Sequence, residues 1–221
     1  MLTLKEIRFS LDEMAKMFPD ATIELNFSNT FELVIAVLLS AQSTDEQVNR
    51  VTKNLFAKYK TPEDYLAVPL EELQRDIQSL GLYRNKAKSI QTLSQTLIDD
   101  FAGEVPRTRE QLMQLAGVGR KTANVILSVA FDVPALAVDT HVERVAKRLG
   151  IARWKDSVLE VEKTLMRKIP EEEWNVTHHR LIFFGRYHCK ARNPNCPECP
   201  LLTICREGKK RMRKLERTKK D

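Results

Sequence analysis

Apolar residues recur at helical spacing along nearly the whole chain. Ile7, Leu11, Met14 and Phe18 follow one another at intervals of four, three and four behind Thr3 and Glu6, a capping-box pair, and Pro19 closes the segment. Residues 31–39 are apolar on every side, as in a central helix buried all round. Thr44 with Gln47 opens a further helix that turns Val48, Val51 and Leu55 inward. Thr61-Pro62 opens a short one with proline at its first position. Leu73, Ile77 and Leu80 lead to Gly81, and Ala87, Ile90, Leu93, Leu97 and Phe101 lead to Gly103. Each glycine is expected to stop its helix.

Thr108 with Gln111 starts a helix through Leu112 and Leu115 that stops at Ala116-Gly117-Val118-Gly119. Another begins at once, at Arg120, and runs to about residue 130. Val138, Val142, Val145 and Leu149 form a stripe ending at Gly150. Two more helices are expected, around residues 158–169 and 171–187, before a cysteine-rich loop. No strand pair, internal repeat or low-complexity stretch stands out. The pattern predicts an all-α protein of about ten helices with a metal-bound loop near its C-terminus.

Composition narrows the class. The 221 residues are 43% hydrophobic and 30% charged, a globular balance that suits one large domain or two small lobes. The longest apolar run, residues 33–39, falls far short of the roughly 20 residues of a membrane span. Glu6, Asp12 and Glu13 interrupt the region where a signal peptide would be apolar. A cytoplasmic protein with no membrane contact is the expectation. Net charge is +6, and residues 206–221, with nine basic and three acidic side chains, carry all of it. Such a tail on a neutral body points to a polyanion, nucleic acid above all, or else to a solvated terminus.

Three constellations carry chemistry. In Leu115-Ala116-Gly117-Val118-Gly119-Arg120-Lys121-Thr122-Ala123, two glycines one residue apart join two helices. They permit a tight turn and close approach of another molecule, while the free N–H groups and dipole of the second helix attract phosphate without reading a base. An ordinary helix–turn–helix corner is the bland alternative.

The second constellation pairs Lys121 with Asp139. The helix from Arg120 runs out about 16 Å, and an extended stretch to Asp139 spans up to about 26 Å, so the chain can return this carboxylate to the start of the Lys121 helix. Asp139 also stands where an N-cap would, before the Val142 stripe. Taken together the two suggest an amine nucleophile beside a carboxylate that transfers a proton or stabilises a cationic transition state.

The third is Cys189-x6-Cys196-x2-Cys199-x5-Cys205, stiffened by Pro194, Pro197 and Pro200. Thiols crowded this way in a chain without secretory features read as a metal site rather than as disulfides. Zinc and an iron–sulfur cluster both suit them. The single Cys-x-x-Cys knuckle with wider arms leans slightly toward iron–sulfur.

The strings GVGRKTA, VDTHVERVAKRLG and FELVIAVLLSAQSTD, with that cysteine spacing, resemble the helix–hairpin–helix DNA glycosylase superfamily from about residue 20 to Cys205. One departure is Ala116, where the family's hairpin usually has proline; a slightly less rigid turn is expected, with unchanged chemistry. The resemblance implies two helical lobes. Residues 22–132 would form the domain with the hairpin; residues 1–21 plus 133–221 would form the lobe with the iron–sulfur loop and the basic tail.

Residue by residue, the resemblance assigns Lys121 as the amine that attacks the sugar C1′, displaces an oxidised pyrimidine and forms a Schiff base, which then undergoes β-elimination. Asp139 would assist. Cys189, Cys196, Cys199 and Cys205 would hold a 4Fe–4S cluster that shapes a DNA-facing loop without a redox step. Gly117, Val118, Gly119, Arg120 and Thr122 would form the DNA-binding hairpin. The target base must leave the duplex; Gln42 would fill the gap and Leu82, after Gly81, would act as a wedge. His141 and Asp45 would line the pocket. The implied partner is double-stranded DNA with oxidised pyrimidines or abasic sites, met by a monomer.

Three rivals stand beside this reading. An adenine-specific glycosylase of the same superfamily shares the cysteine spacing but does not need the hairpin lysine and carries a substantial additional C-terminal domain. A non-enzymatic helix–hairpin–helix module would explain the glycines, the cysteines and the tail, but not Lys121 with Asp139. A zinc-loop scaffold for protein partners would be colourless where an iron–sulfur protein is brown.

Overall fold

The capping signals in the sequence set most of the helix boundaries. In the computed structural model, which describes residues 1–218, Thr3 and Glu6 close a reciprocal capping box ahead of α1 (Leu4–Met17). Asn29 caps α2 (Thr30–Leu39), and Thr44 with Gln47 boxes the start of α3 (Asp45–Lys58). Thr61 caps α4 (Pro62–Ala67), with proline in its first turn. Next come α5 (Leu70–Asp76), α6 (Tyr83–Phe101), α7 (Arg109–Leu112) and α8 (Arg120–Phe131). Asp139 caps α9 (Thr140–Leu149), which ends on Gly150 at φ 87. Ser157 and Glu160 box α10 (Val158–Lys168), and α11 (Trp174–Phe183) and α12 (Arg206–Thr218) complete the chain. Every regular element among the described residues is helical, and none of these helices is long and apolar enough to cross a membrane.

Several boundaries differ from expectation. The segment expected to reach Gly81 leaves the helix after Asp76, and Leu80 continues in a turn closed on Ile77. Ala102, at φ 52, ends α6 one residue before Gly103. The helix expected from Thr108 to the hairpin stops at Leu112, and turns carry the chain to Gly117. The stretch 171–187 is divided into a 3-10 turn (Glu171–Glu173), α11 and a π-helical turn (Phe184–His188). Gly185 lies in that last turn, where a β-carbon would stand 3.0 Å from the His141 Cβ. With the tail helix α12 counted, the described residues hold twelve α-helices against the expected ten or so. The basic tail, offered as a solvated terminus or a polyanion contact, is helical as far as Thr218; its last three positions, 219–221, lie outside the described residues.

The chain divides into two units. One comprises Ile23–Val133. Its centre is α2, where Leu33 to Ala36 and Leu39 are wholly buried among α3, α6 and α8. Tyr65 meets Phe31 edge to face and lies tilted against Tyr59. The other unit comprises Met1–Thr22 with Pro134–Asp221. There Ile7, Leu11 and Met14 of α1 meet Val142, Val145 and Leu149 of α9, Leu165 of α10 and Leu181 of α11 in one core. Leu201 and Cys205 belong to the same core, so the cysteine loop is built onto it. The Leu2 amide donates to the Gly150 carbonyl at 2.9 Å and fastens the N-terminus to the end of α9.

Candidate active site and cysteine loop

Between α7 and α8 the two glycines do different things. Gly117 sits at φ +81, and a β-carbon there would lie 2.9 Å from Leu38 Cδ1 and 3.2 Å from Ser89 Cβ. Only glycine fits both the left-handed backbone and the space. Gly119 has no atom within 4 Å of a built β-carbon. It is the N-cap of α8 and offers no side-chain acceptor to the first turn of that twelve-residue helix. Val118 is buried, and its amide donates to the Leu115 carbonyl at 3.0 Å. Arg109 Nε donates to buried Asn124 Oδ1 at 2.7 Å and ties α7 to α8. Lys121 is exposed in the first turn of α8, flanked by half-buried Arg120 and Thr122.

Two further turns of the same unit present the residues matched to base extrusion. Gln42 and Leu82 are both held in the left-handed region, at φ 55 and φ 60. Both are exposed, Leu82 by 52%. The turns touch at Gly81, where a β-carbon would stand 3.2 Å from the Gln42 carbonyl oxygen. Asp45 is half-buried as the first residue of α3, behind the Thr44 cap, and so also fills the ordinary role of a helix start.

In the other unit, Asp139 Oδ1 accepts from the His141 and Val142 amides, each at 2.8 Å. Its second oxygen has no partner among the described residues. The N-cap role is therefore real, and it leaves half of the carboxylate for other work. His141 Nδ1 stands 3.2 Å from an Arg144 guanidinium nitrogen. Burial pushes the His141 imidazole below its usual value, and Arg144 and Arg186 add to that against the pull of Asp139.

The four thiols line one small cavity, with Leu149, Phe184 and Leu202 in its wall. None of the cysteines is in a disulfide. No group of His, Cys, Asp or Glu among the described residues is arranged to grip a metal ion. Burial holds the Cys199 thiol up at about 11 and raises Cys196 and Cys205 as well. Two arginines of α9, which the sequence reading did not single out, anchor the start of the loop. Arg144 donates to the carbonyls of Gly185 at 2.7 Å and Cys189 at 3.2 Å. Buried Arg148 reaches the Lys190 carbonyl at 2.7 Å, that of Ala191 at 2.9 Å, and Cys189 Sγ at 3.5 Å. The Gly208 amide donates to Cys205 Sγ at 3.2 Å.

The structure thus joins Gln42 to Leu82, Asp139 to His141, and the four cysteines to one another, with Lys121 in the first unit and Asp139 in the second. Glycine hairpin, lysine and cysteine loop define a class. The chain belongs to the HhH-GPD superfamily of base excision DNA repair proteins, whose family model matches residues 35–171. Endonuclease III of Bacillus subtilis (strain 168) is 73% identical over 214 residues, covering 97% of this chain and 98% of that protein. A trapped Endonuclease III–DNA covalent intermediate, an estranged-adenine complex, matches with a TM-score of 0.94 at 72% identity, over 96% of this chain and 100% of the other. A non-covalent Endonuclease III–DNA complex matches with a TM-score of 0.95 at 71% identity, over 96% and 100%.

Proposed function

We propose that this chain is a bifunctional DNA glycosylase and abasic-site lyase for oxidised pyrimidines, with Lys121 as its nucleophile. One observation carries the reading: an exposed lysine in the first turn of α8, directly after a glycine-lined helix start whose N-cap, Gly119, offers no side-chain acceptor, a setting suited to a DNA phosphate. A relative 72% identical has been trapped covalently on DNA, a state that needs a nucleophile.

In the proposed reaction the Lys121 amine forms a bond to C1′ of the extruded nucleotide, and the bond from C1′ to the base breaks. The base leaves with the electron pair. Loss of the amine proton and ring opening give an iminium. A C2′ proton is then removed, the 3′ C–O bond breaks, and water releases the nicked strand from the lysine. Asp139, capping α9 with one oxygen, uses the other to take a proton or to face the positive charge at C1′. His141, its ring held below the usual range by burial, offers a hydrogen-bonding group to the reaction. Gln42 fills the vacated stack and Leu82 wedges it open. Gly117, Val118, Gly119, Arg120 and Thr122 hold the phosphate side of the hairpin. Residues 22–132 act as the hairpin domain, and residues 1–21 with 133–221 as the lobe bearing the cysteine loop.

Cys189, Cys196, Cys199 and Cys205 would hold a 4Fe–4S cluster. The donor set fits: four thiols around one cavity, with the Arg148 guanidinium and the Gly208 amide directed at sulfur to offset thiolate charge. Such a cluster supplies a rigid cross-link for the loop. The protein works as a monomer in the cytoplasm.

Incubating the protein with a duplex containing thymine glycol in the presence of sodium borohydride tests this. A covalent protein–DNA band and loss of the modified base are expected. Binding with neither would favour the non-enzymatic module.

A further inference from the structure

The turn that carries Gln42 begins where α2 ends, and its backbone needs are specific. A helix leaves its last four carbonyls without intrahelical partners. In α2 the Ser40 amide serves Ala36, the Ser40 hydroxyl serves Val37 at 2.8 Å, and the Ala41 amide serves Leu38 at 3.4 Å. The last carbonyl, that of Leu39, accepts at 2.9 Å from the ammonium of Lys86. The same ammonium donates to Ser43 Oγ at 3.1 Å. Lys86 therefore holds both sides of residues 40–43, the segment in which Gln42 stands at φ 55.

Lys86 lies in the first turn of α6, its amide bonded to the Leu82 carbonyl at 3.0 Å. Leu82, at φ 60, is the residue from which that helix starts. One ammonium thus fixes the Gln42 turn to the helix that presents Leu82, and Gly81 closes the gap against the Gln42 carbonyl. Lys86 is only 5% exposed and has no carboxylate partner among the described residues. A buried lysine without a counter-ion is costly, and left-handed non-glycine residues persist only where their surroundings over-determine them. Those two costs meet at one atom, Lys86 Nζ.

We propose that Lys86 is a positioning residue for base extrusion, clamping the Gln42 and Leu82 turns as one rigid pair so that they enter the duplex together. This rests on the reading of Gln42 and Leu82 as the residues that replace the extruded nucleotide. The readout is the ratio of single-turnover rates on a thymine-glycol duplex and on a single-stranded abasic oligonucleotide, which requires no extrusion from a stack.

In Lys86→Met that ratio should fall roughly tenfold or more, the weight of one charge-assisted hydrogen bond. Ser43→Ala, which keeps the bond to Leu39, should fall part of the way, and Lys86→Arg should recover part of the loss. If Lys86→Met fails to fold, Ser43→Ala carries the test. An unchanged ratio in Ser43→Ala and Lys86→Met, or an equal loss on both substrates, overturns the proposal. Gln42→Ala and Leu82→Ala separate its foundations. Should both leave the ratio intact, the extrusion reading falls and takes the clamp with it; should both lower it while Lys86→Met does not, the clamp alone is wrong.

Discussion

The Val142 amide donates to Asp139 Oδ1 at 2.8 Å, so the carboxylate matched to catalysis is also the cap of α9. The two roles separate by substitution. Asn keeps a capping oxygen and loses the charge; Ala loses both. Asp139→Asn should melt like the parent yet remove bases far more slowly, with a smaller loss on a preformed abasic site, where an aldehyde is already present. Asp139→Ala should in addition lose about 1 kcal/mol of stability, the usual cost of a lost cap. Thermal melting beside rates on both substrates checks this. Equal rates for Asp139→Asn and the parent would leave Asp139 a cap and nothing more.

The hairpin glycines should divide stability from binding. Gly117→Ala places a β-carbon 2.9 Å from Leu38 Cδ1 on a left-handed backbone. It should cost roughly 1–3 kcal/mol of stability. Gly119→Ala meets no protein atom and has φ −90, so its melting should barely move while affinity for duplex DNA weakens. Melting curves and a binding isotherm for each variant decide it. A destabilised Gly119→Ala, or one that binds normally, contradicts the open-site account.

Histidine burial fixes the acid limb of stability. His141, His179 and His188 are all pushed below the usual 6.5 by burial. The fold then binds fewer protons than the unfolded chain between those lowered values and 6.5. Their contribution is complete above that pH and is lost as pH falls below it. Melting temperature should drop on acidification through this window, and His141→Gln should lessen the drop by its own share. Unaltered acid sensitivity in His141→Gln would show that its ring titrates without a folding penalty.

The basic residues of α12 are not equivalent. Arg211 is paired with Glu207 along α12, whereas Lys209, Lys210 and Arg213 are exposed on it. Truncation after Cys205 would also remove the Gly208 amide from Cys205 Sγ, so charge substitution is the cleaner test. Replacing Lys209, Lys210 and Arg213 with Gln should flatten the salt dependence of log affinity by about 0.9 for each residue that touches phosphate. An unchanged slope would mark α12 as a solvated helix.

Local signals were legible in the sequence. Thr3, Thr44, Thr61 and Gly150 cap helices because capping depends on residues three or four positions apart, which a sequence displays. Long-range devices were not. Arg148 meets Ala191 across 43 positions and Lys86 meets Leu39 across 47, and no periodicity announces such pairs. The close approach of Gly185 to His141 is again a tertiary fact. Gln42 and Leu82 emerged from the family resemblance alone; their left-handed backbones belong to residue types that rarely adopt them, so nothing local marks them. The cysteine spacing displayed four thiols that the structure brings around one cavity, but not the guanidinium and the amide turned toward two of their sulfurs.

The most direct test of the account is to map the borohydride-trapped adduct. Parent protein reduced on a thymine-glycol duplex and digested should yield one modified peptide, bearing a deoxyribose remnant on Lys121. Lys121→Gln should give no adduct and no strand cleavage while keeping most of its duplex affinity, because the hairpin amides remain. An adduct on another amine, or trapping at the parental rate by Lys121→Gln, would contradict the assignment of Lys121 as the nucleophile.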